Sequence, residues 1–126
     1  MGIHEKAVER YLAAWNATEP SGIATAVAAA WADDGGYTDP LASVTGHSEI
    51  FGLIGAVQAQ FPGHRFRLFG AVDGHHDVAR FGWELIAPDG TAPVAGFDVL
   101  TLDPAGRIRS VFGFLDRVPA LPAAVA

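Results

Sequence analysis

The sequence contains no cysteine, which excludes disulfides, thiolate nucleophiles and cysteine-bound zinc together. It has a single lysine, and seven arginines complete its cationic side chains. Eight bases against fourteen acids give a net charge of −6. That balance is the wrong footprint for nucleic acid or for an anionic bilayer surface, so neither is expected as a partner. No run approaches the ~18–20 uninterrupted apolar residues of a membrane span. The opening Met1-Gly2-Ile3-His4-Glu5-Lys6 is mixed polar and fits neither a secretory nor a myristoylation signal. With cysteine absent as well, a cytoplasmic protein is expected. There is also no G-x-G-x-x-G phosphate loop and no G-x-S-x-G serine elbow.

What is present is apolar surface. Half of the 126 residues are hydrophobic and 17% are charged. The mean hydropathy is +0.24, too apolar for a disordered chain. The length suits one domain over 1–126, with a core at about 5–117 and a tail Val118–Ala126 expected to fray.

The periodicity changes along the chain. Val8, Tyr11, Leu12 and Trp15 recur at helical spacing, predicting an amphipathic helix over Ile3–Ala17. Thr18 before Glu19-Pro20-Ser21 reads as the N-cap of a second helix, running to about Ala32 and stopped by Asp33-Asp34-Gly35-Gly36. Tyr37-Thr38-Asp39 is a very short strand ended by Pro40, and Leu41–Gly46 reads as loop. Ile50, Phe51, Ile54, Val57 and Phe61 predict a third helix over His47–Phe61. From Arg65 the period becomes two. Strands are expected at 65–72, 77–87, 93–102 and 107–116, separated by Asp73-Gly74, Pro88-Asp89-Gly90 and Asp103-Pro104-Ala105-Gly106. Three helices followed by antiparallel strands make an α+β domain with the helices on one sheet face.

One strand is apolar on both sides. Val94, Gly96, Leu100 and Leu102 occupy one parity, and Ala95, Phe97 and Val99 the other. Helices cover one face, and a second copy of the chain is the economical cover for the other, so a homodimer is expected.

Asp98 stands among those apolar positions, where a carboxylate needs a partner or a proton. It is either a structural residue paired with, for instance, Arg80, or a functional group with a raised pKa. Asp39 before Pro40 is either an Asx-turn residue or a proton acceptor at the edge of a cavity. Tyr11 is either a core phenol or a hydrogen-bond donor to a substrate oxygen. The aromatic side chains Trp15, Trp31, Phe51, Phe61, Phe66, Trp83, Phe112 and Phe114 are many for one small core, and are read as the lining of a pocket for a small hydrophobic ligand. His75-His76-Asp77 does not make a metal site, because neighbours on an extended segment point apart and zinc wants three or four converging ligands. No metal or cofactor is expected.

The order of these elements resembles the nuclear transport factor 2-like superfamily, a cone-shaped fold with a deep apolar pocket. The motifs Glu9-Arg10-Tyr11-Leu12-Ala13-Ala14-Trp15-Asn16-Ala17, Ala32-Asp33-Asp34-Gly35-Gly36-Tyr37-Thr38-Asp39-Pro40, Gly96-Phe97-Asp98-Val99 and Gly106-Arg107-Ile108 resemble its ketosteroid isomerases and SnoaL-like polyketide cyclases. The resemblance implies cofactor-independent proton transfer on a hydrophobic carbonyl compound, by isomerisation or aldol-type cyclisation. It also implies roles: Asp39 moves the proton, while Tyr11 and Asp98 stabilise the oxygen, Asp98 as a neutral carboxylic acid. The chain departs from those isomerases at Ile54, where they carry a tyrosine, and in a shorter loop at Leu41–Gly46. Arg80, Glu84 and Asp116 resemble the Asp-Arg-Asp set of the limonene-epoxide hydrolases, but Gly82 stands where one aspartate is required. A non-catalytic module binding a small hydrophobic ligand and an epoxide hydrolase-like enzyme are the alternatives.

Overall fold

The computed structural model describes residues 2–119. Helix α1 (Ile3–Asn16) buries Ala7, Val8, Tyr11, Ala14 and Trp15, the face its spacing predicts. Helix α2 (Pro20–Ala30) follows with Pro20 in its first turn and Ile23, Val27 and Ala30 buried. Its N-cap is Glu19 rather than Thr18, and no side chain closes it.

The chain leaves α2 two residues earlier than expected. Strand β1 (Trp31–Thr38) absorbs the Asp33-Asp34-Gly35-Gly36 segment as an irregularity in a strand, not as a helix stop. Trp31 and Ala32 are buried while the two aspartates point to water. Gly35 makes this possible, since a Cβ there would stand 2.7 Å from the Trp31 ring and 2.8 Å from the Ile108 carbonyl. Ser43–Thr45, read as loop, is a short strand β2 paired antiparallel with the end of β1.

Helix α3 (His47–Gln60) carries Ile50 and Ile54 into the core. Strand β3 (Arg65–His75) runs through the expected Asp73-Gly74 turn, because Gly70 (φ +81°) takes up a bulge and Asp73 then aligns with Arg80. The chain reverses at His76, whose φ is +50°. Strands β4 (Val78–Ile86), β5 (Val94–Leu102) and β6 (Ile108–Arg117) complete one six-stranded sheet in the order β2-β1-β6-β5-β4-β3. All neighbours are antiparallel except β1 and β6, which run parallel. The curved sheet wraps the helices on one face, giving the α+β cone expected from the sequence. Of the expected C-terminal tail, Val118 and Pro119 are described and the remainder lies outside the described residues.

The strand pairing orders the inner face in rows. Ala79, Leu100, Val111 and Tyr37 form one cross-strand row, and Phe81, Asp98 and Gly113 form the next. Asp39, just past β1, extends that second row beside Gly113. Trp31, Ile50, Ile54, Leu100 and Ile108 fill the closed end of the cone. The open end is left hollow.

Candidate active site

A cavity of about 490 Å³ opens between α1, the C-terminal half of α3 and the inner face of the sheet. Its walls are apolar, with Leu12, Trp15, Val57, Phe61, Phe66, Trp83, Leu85, Val94 and Leu115 among them. Its polar groups are Tyr11, Tyr37, Asp39 and Asp98, with Gln60 farther along α3. Among the described residues, no lysine, arginine or histidine lines it.

Asp98 is 2% exposed, and the Tyr11 hydroxyl donates to its Oδ2 at 2.5 Å. Among the described residues, its Oδ1 has no hydrogen-bond partner of good geometry. Burial pushes the carboxyl up to about 6, partly offset by the Tyr11 hydroxyl and the nearby Trp83 indole N–H, with a small upward push from the Asp39 charge. The Trp83 N–H is close enough to favour the charged form but forms no hydrogen bond of good geometry. Burial and the Asp98 charge together raise Tyr11 well above an ordinary phenol, so Tyr11 acts as a donor and not as an anion. Arg80 is on the opposite face of the sheet, 3.6 Å from Asp73, which removes the ion-pair explanation for Asp98.

Asp39 is both things its sequence context allowed. Its Oδ1 accepts the Leu41 and Ala42 amides at 2.8 Å each, an Asx-type turn, while the residue also lines the cavity. Its Oδ2 accepts the Tyr37 hydroxyl at 2.6 Å. Tyr37 is the site residue that sequence reasoning passed over. The signal was available: residues two apart on a strand share a face, so whatever Asp39 faces, Tyr37 faces too. Burial, then the Asp98 charge, raises the Tyr37 phenol far above its usual value, which keeps it a proton donor.

Gly113 is the gap between the two carboxyl groups. A Cβ at this position would lie 2.8 Å from Asp98 Oδ1 and 3.3 Å from the Asp39 Cβ. With no side chain there, Asp98 leans over β6 towards Asp39.

The aromatic readings divide. Trp15, Phe61, Phe66 and Trp83 line the cavity. Trp31 does not; it lies fully buried beneath Tyr11, ring centroids 5.4 Å apart. Phe51 is on the outward side of α3, 36% exposed. Phe112 and Phe114 flank the inward-facing Gly113, so both project to the outer face, where they are 46% and 50% exposed. The aliphatic lining came from β-strand ends and helix turns that carry no distinguishing chemistry in the sequence.

Arg80, Glu84 and Asp116 do not line the cavity. Glu84 is held on the outer face by Arg67 at 2.8 Å and Arg117 at 3.0 Å, which depresses its pKa. His75 and His76 sit at the β3–β4 turn, and no group of three metal-ligating side chains gathers among the described residues. No helix there is long and apolar enough to cross a membrane.

Comparison with known proteins places this geometry in context. The model of the SnoaL-like domain family matches residues 8–111. No functionally curated protein matches the sequence. Among solved structures, a SnoaL-like family protein from Agrobacterium tumefaciens, provisionally described as an isomerase, is 43% identical over 92% of this chain and 99% of its own, with a TM-score of 0.88. A protein of ketosteroid isomerase-like fold from Catenulispora acidiphila, solved with trimethylamine, is 22% identical over 86% of this chain and 83% of its own (TM-score 0.69). A SnoaL-like protein from Jannaschia, provisionally described as a polyketide cyclase, is 15% identical over 97% of each chain (TM-score 0.70). The latter two share the fold alone.

Proposed function

The chain belongs to the SnoaL-like domain family, and from that premise we propose that it catalyses cofactor-independent proton transfer on a flat, hydrophobic carbonyl compound. The product is an isomer or an aldol-type cyclised ring. The observation that carries this reading is the polar row at the floor of an apolar cavity: two carboxyl groups, each hydrogen-bonded by a buried phenol, with no cation among the lining residues. Proton abstraction beside a carbonyl needs one carboxylate to accept the proton and hydroxyl or acid donors at the oxygen, where charge develops. The row contains both. The apolar walls exclude water and strengthen every polar contact inside. Isomerisation, the activity provisionally ascribed to the Agrobacterium relative, is one of the two outcomes open to this site.

The protein acts as a homodimer in the cytoplasm in this reading. Phe97 and Phe114 stack on the outer face with centroids 4.9 Å apart, beside the exposed Phe112, and a second copy is the cover we assign to them.

The test is exchange of the benzylic C–H of β-tetralone, and of the acidic C–H of a β,γ-unsaturated cyclohexenone, into D2O by NMR. Exchange above the buffer rate is expected with at least one probe, and it should vanish in the Asp39→Asn, Asp98→Asn double variant. Saturable quenching of Trp15 and Trp83 fluorescence by both probes, without exchange, would mean a binding module instead.

A further inference from the structure

We infer that Tyr37 is a positioning residue for the proton transfer, holding the Asp39 carboxylate in one orientation through its Oδ2 atom. The inference rests on the proton-transfer reading, with Asp39 as the group that moves the proton. It adds a residue to which the family resemblance gives no role.

A carboxylate offers about four acceptor positions, two on each oxygen. Among the described residues, three donors meet Asp39: the Leu41 and Ala42 amides on Oδ1, at 2.8 Å each, and the Tyr37 hydroxyl on Oδ2 at 2.6 Å. The two amides belong to the turn that Asp39 itself opens, where its own N–H donates to the Ala42 carbonyl at 2.9 Å. They tie Oδ1 to the backbone. Oδ2 is tied by the phenol. The position left open is the second one on Oδ2, and because Asp39 lines the cavity, a substrate proton is received there. The reacting oxygen is thus the one whose place Tyr37 sets.

Tyr37 is itself held firmly. It is 6% exposed, pairs with Val44 of β2 and Val111 of β6, and packs its ring against Trp15 with centroids 5.5 Å apart. Residues two apart on extended backbone share a face, so one short stretch of chain sets phenol and carboxyl side by side. The other phenol is engaged elsewhere, since Tyr11 donates to Asp98 Oδ2. The ionisable groups around Tyr37 are Tyr11 from α1, Asp98 from β5 and Asp39 itself. Burial, then the Asp98 charge, then the bond to Asp39 keep its proton in place, so it stays a donor while carboxyl groups titrate. A donor to the ionised carboxylate favours that form, and a fixed oxygen avoids the misplacement that costs up to ~10²-fold in rate.

The step balances with Tyr37 unchanged. The C–H proton moves to Asp39 Oδ2, the C–H electron pair becomes the enolate C=C bond, and the carbonyl π pair settles on oxygen. Negative charge passes from carboxylate to enolate, and Tyr37 keeps its own proton.

The test is β-tetralone exchange into D2O in a double-mutant cycle of Tyr37→Phe and Asp39→Asn. Tyr37→Phe should lower kcat about tenfold and leave KM within about twofold of wild type. Its rising limb should move to higher pH by about one unit, because the donor to the ionised form is gone. In the Asp39→Asn background the same substitution should change the residual rate by less than about twofold, since its effect passes through Asp39. An unchanged kcat and pH profile, a loss confined to KM, or equal losses in both backgrounds would each overturn the assignment. Where Asp39→Asn leaves no exchange above buffer, the kcat–KM split and the pH limb decide. Should Tyr37→Phe not fold, the wild-type hydroxyl proton of Tyr37 is read by NMR instead. It should resonate downfield and move upfield in Asp39→Asn, and indifference to that change would sink the idea. Absence of wild-type exchange at every pH is a separate result, which removes the proton-transfer reading and this inference with it.

Discussion

Along β5, Val94, Gly96, Asp98, Leu100 and Leu102 turn inward and are buried, while Ala95, Phe97, Val99 and Thr101 turn outward and are only partly covered. The two faces treat charge in opposite ways. Outside, Glu84 meets two arginines at the protein surface and its pKa falls. Inside, Asp98 meets phenols and apolar walls, and burial drives its pKa up. An outward carboxylate is stabilised as an ion, and an inward one is driven towards its neutral form. The apolar residues differ too: those inside enclose a cavity, and those outside form a bare aromatic patch.

The outer face gives the largest expected effect. Phe97→Asp should convert a dimer to monomers at micromolar concentration, because it would bury two unpaired carboxylates at a cost of several kcal/mol, on the order of 3–5. Sedimentation equilibrium reads this directly. A wild-type species of 13.2 kDa at that concentration would leave the aromatic patch without the proposed cover.

Next comes the inner carboxyl. Because the folded-state pKa of Asp98 is raised to about 6, the folded protein holds its proton more tightly than the unfolded chain does. Its contribution to stability is therefore complete below the unfolded value near 3.8, lost as pH rises towards about 6, and constant above. The loss amounts to roughly 3 kcal/mol, two pH units at ~1.4 kcal/mol each. Urea titrations across this window should show the decline in wild type and a flatter curve in Asp98→Asn. A wild-type stability that increases instead would indicate an ion-paired Asp98 and erase the contrast between the faces.

Tyr37→Phe is a smaller perturbation of the same inner row. It deletes the donor to Asp39 Oδ2 while keeping the ring, so about 1–2 kcal/mol of stability should be lost. Equal stability of the variant and wild type would show that the hydrogen bond is not maintained in solution. Smallest of all is Arg80→Ala. The Arg80–Asp73 pair is largely exposed at 3.6 Å, and a change within about 0.5 kcal/mol is expected by thermal denaturation. A loss well above that would mean that outer-face charges matter far more than their exposure allows.

Much of the fold is legible because hydrophobic period reports local geometry. Val8, Tyr11 and Trp15 announce α1, and the apolar run 94–102 between two turn signals announces β5, whose period of two sets Asp98 against Phe97. The misreadings fall where polar residues sit inside elements. Asp33 and Asp34 look like a helix stop, yet β1 carries them outward because Trp31 and Ala32 anchor the strand and Gly35 yields to Ile108. Asp73-Gly74 looks like a turn, yet the turn comes later because Gly70 takes up the bulge. Phe112 and Phe114 look like pocket residues until the register with Phe97 and Val99 turns them away from it.

The sequence by itself determined most of the element types, the family motifs and the identity of Tyr11, Asp39 and Asp98 as the groups worth following. Periodicity and residue chemistry are local properties, and they can be read without knowing what packs where. Only the tertiary structure decided how those groups meet. The parallel pairing of β1 with β6 brings Asp39 beside Gly113, and the antiparallel pairing of β6 with β5 brings Gly113 beside Asp98. Tyr11 reaches Asp98 across 87 residues of chain. Which oxygen of which carboxyl stays without a donor follows from those long-range contacts. No local pattern encodes them, because each depends on strands and a helix that meet only when the sheet has closed around the core.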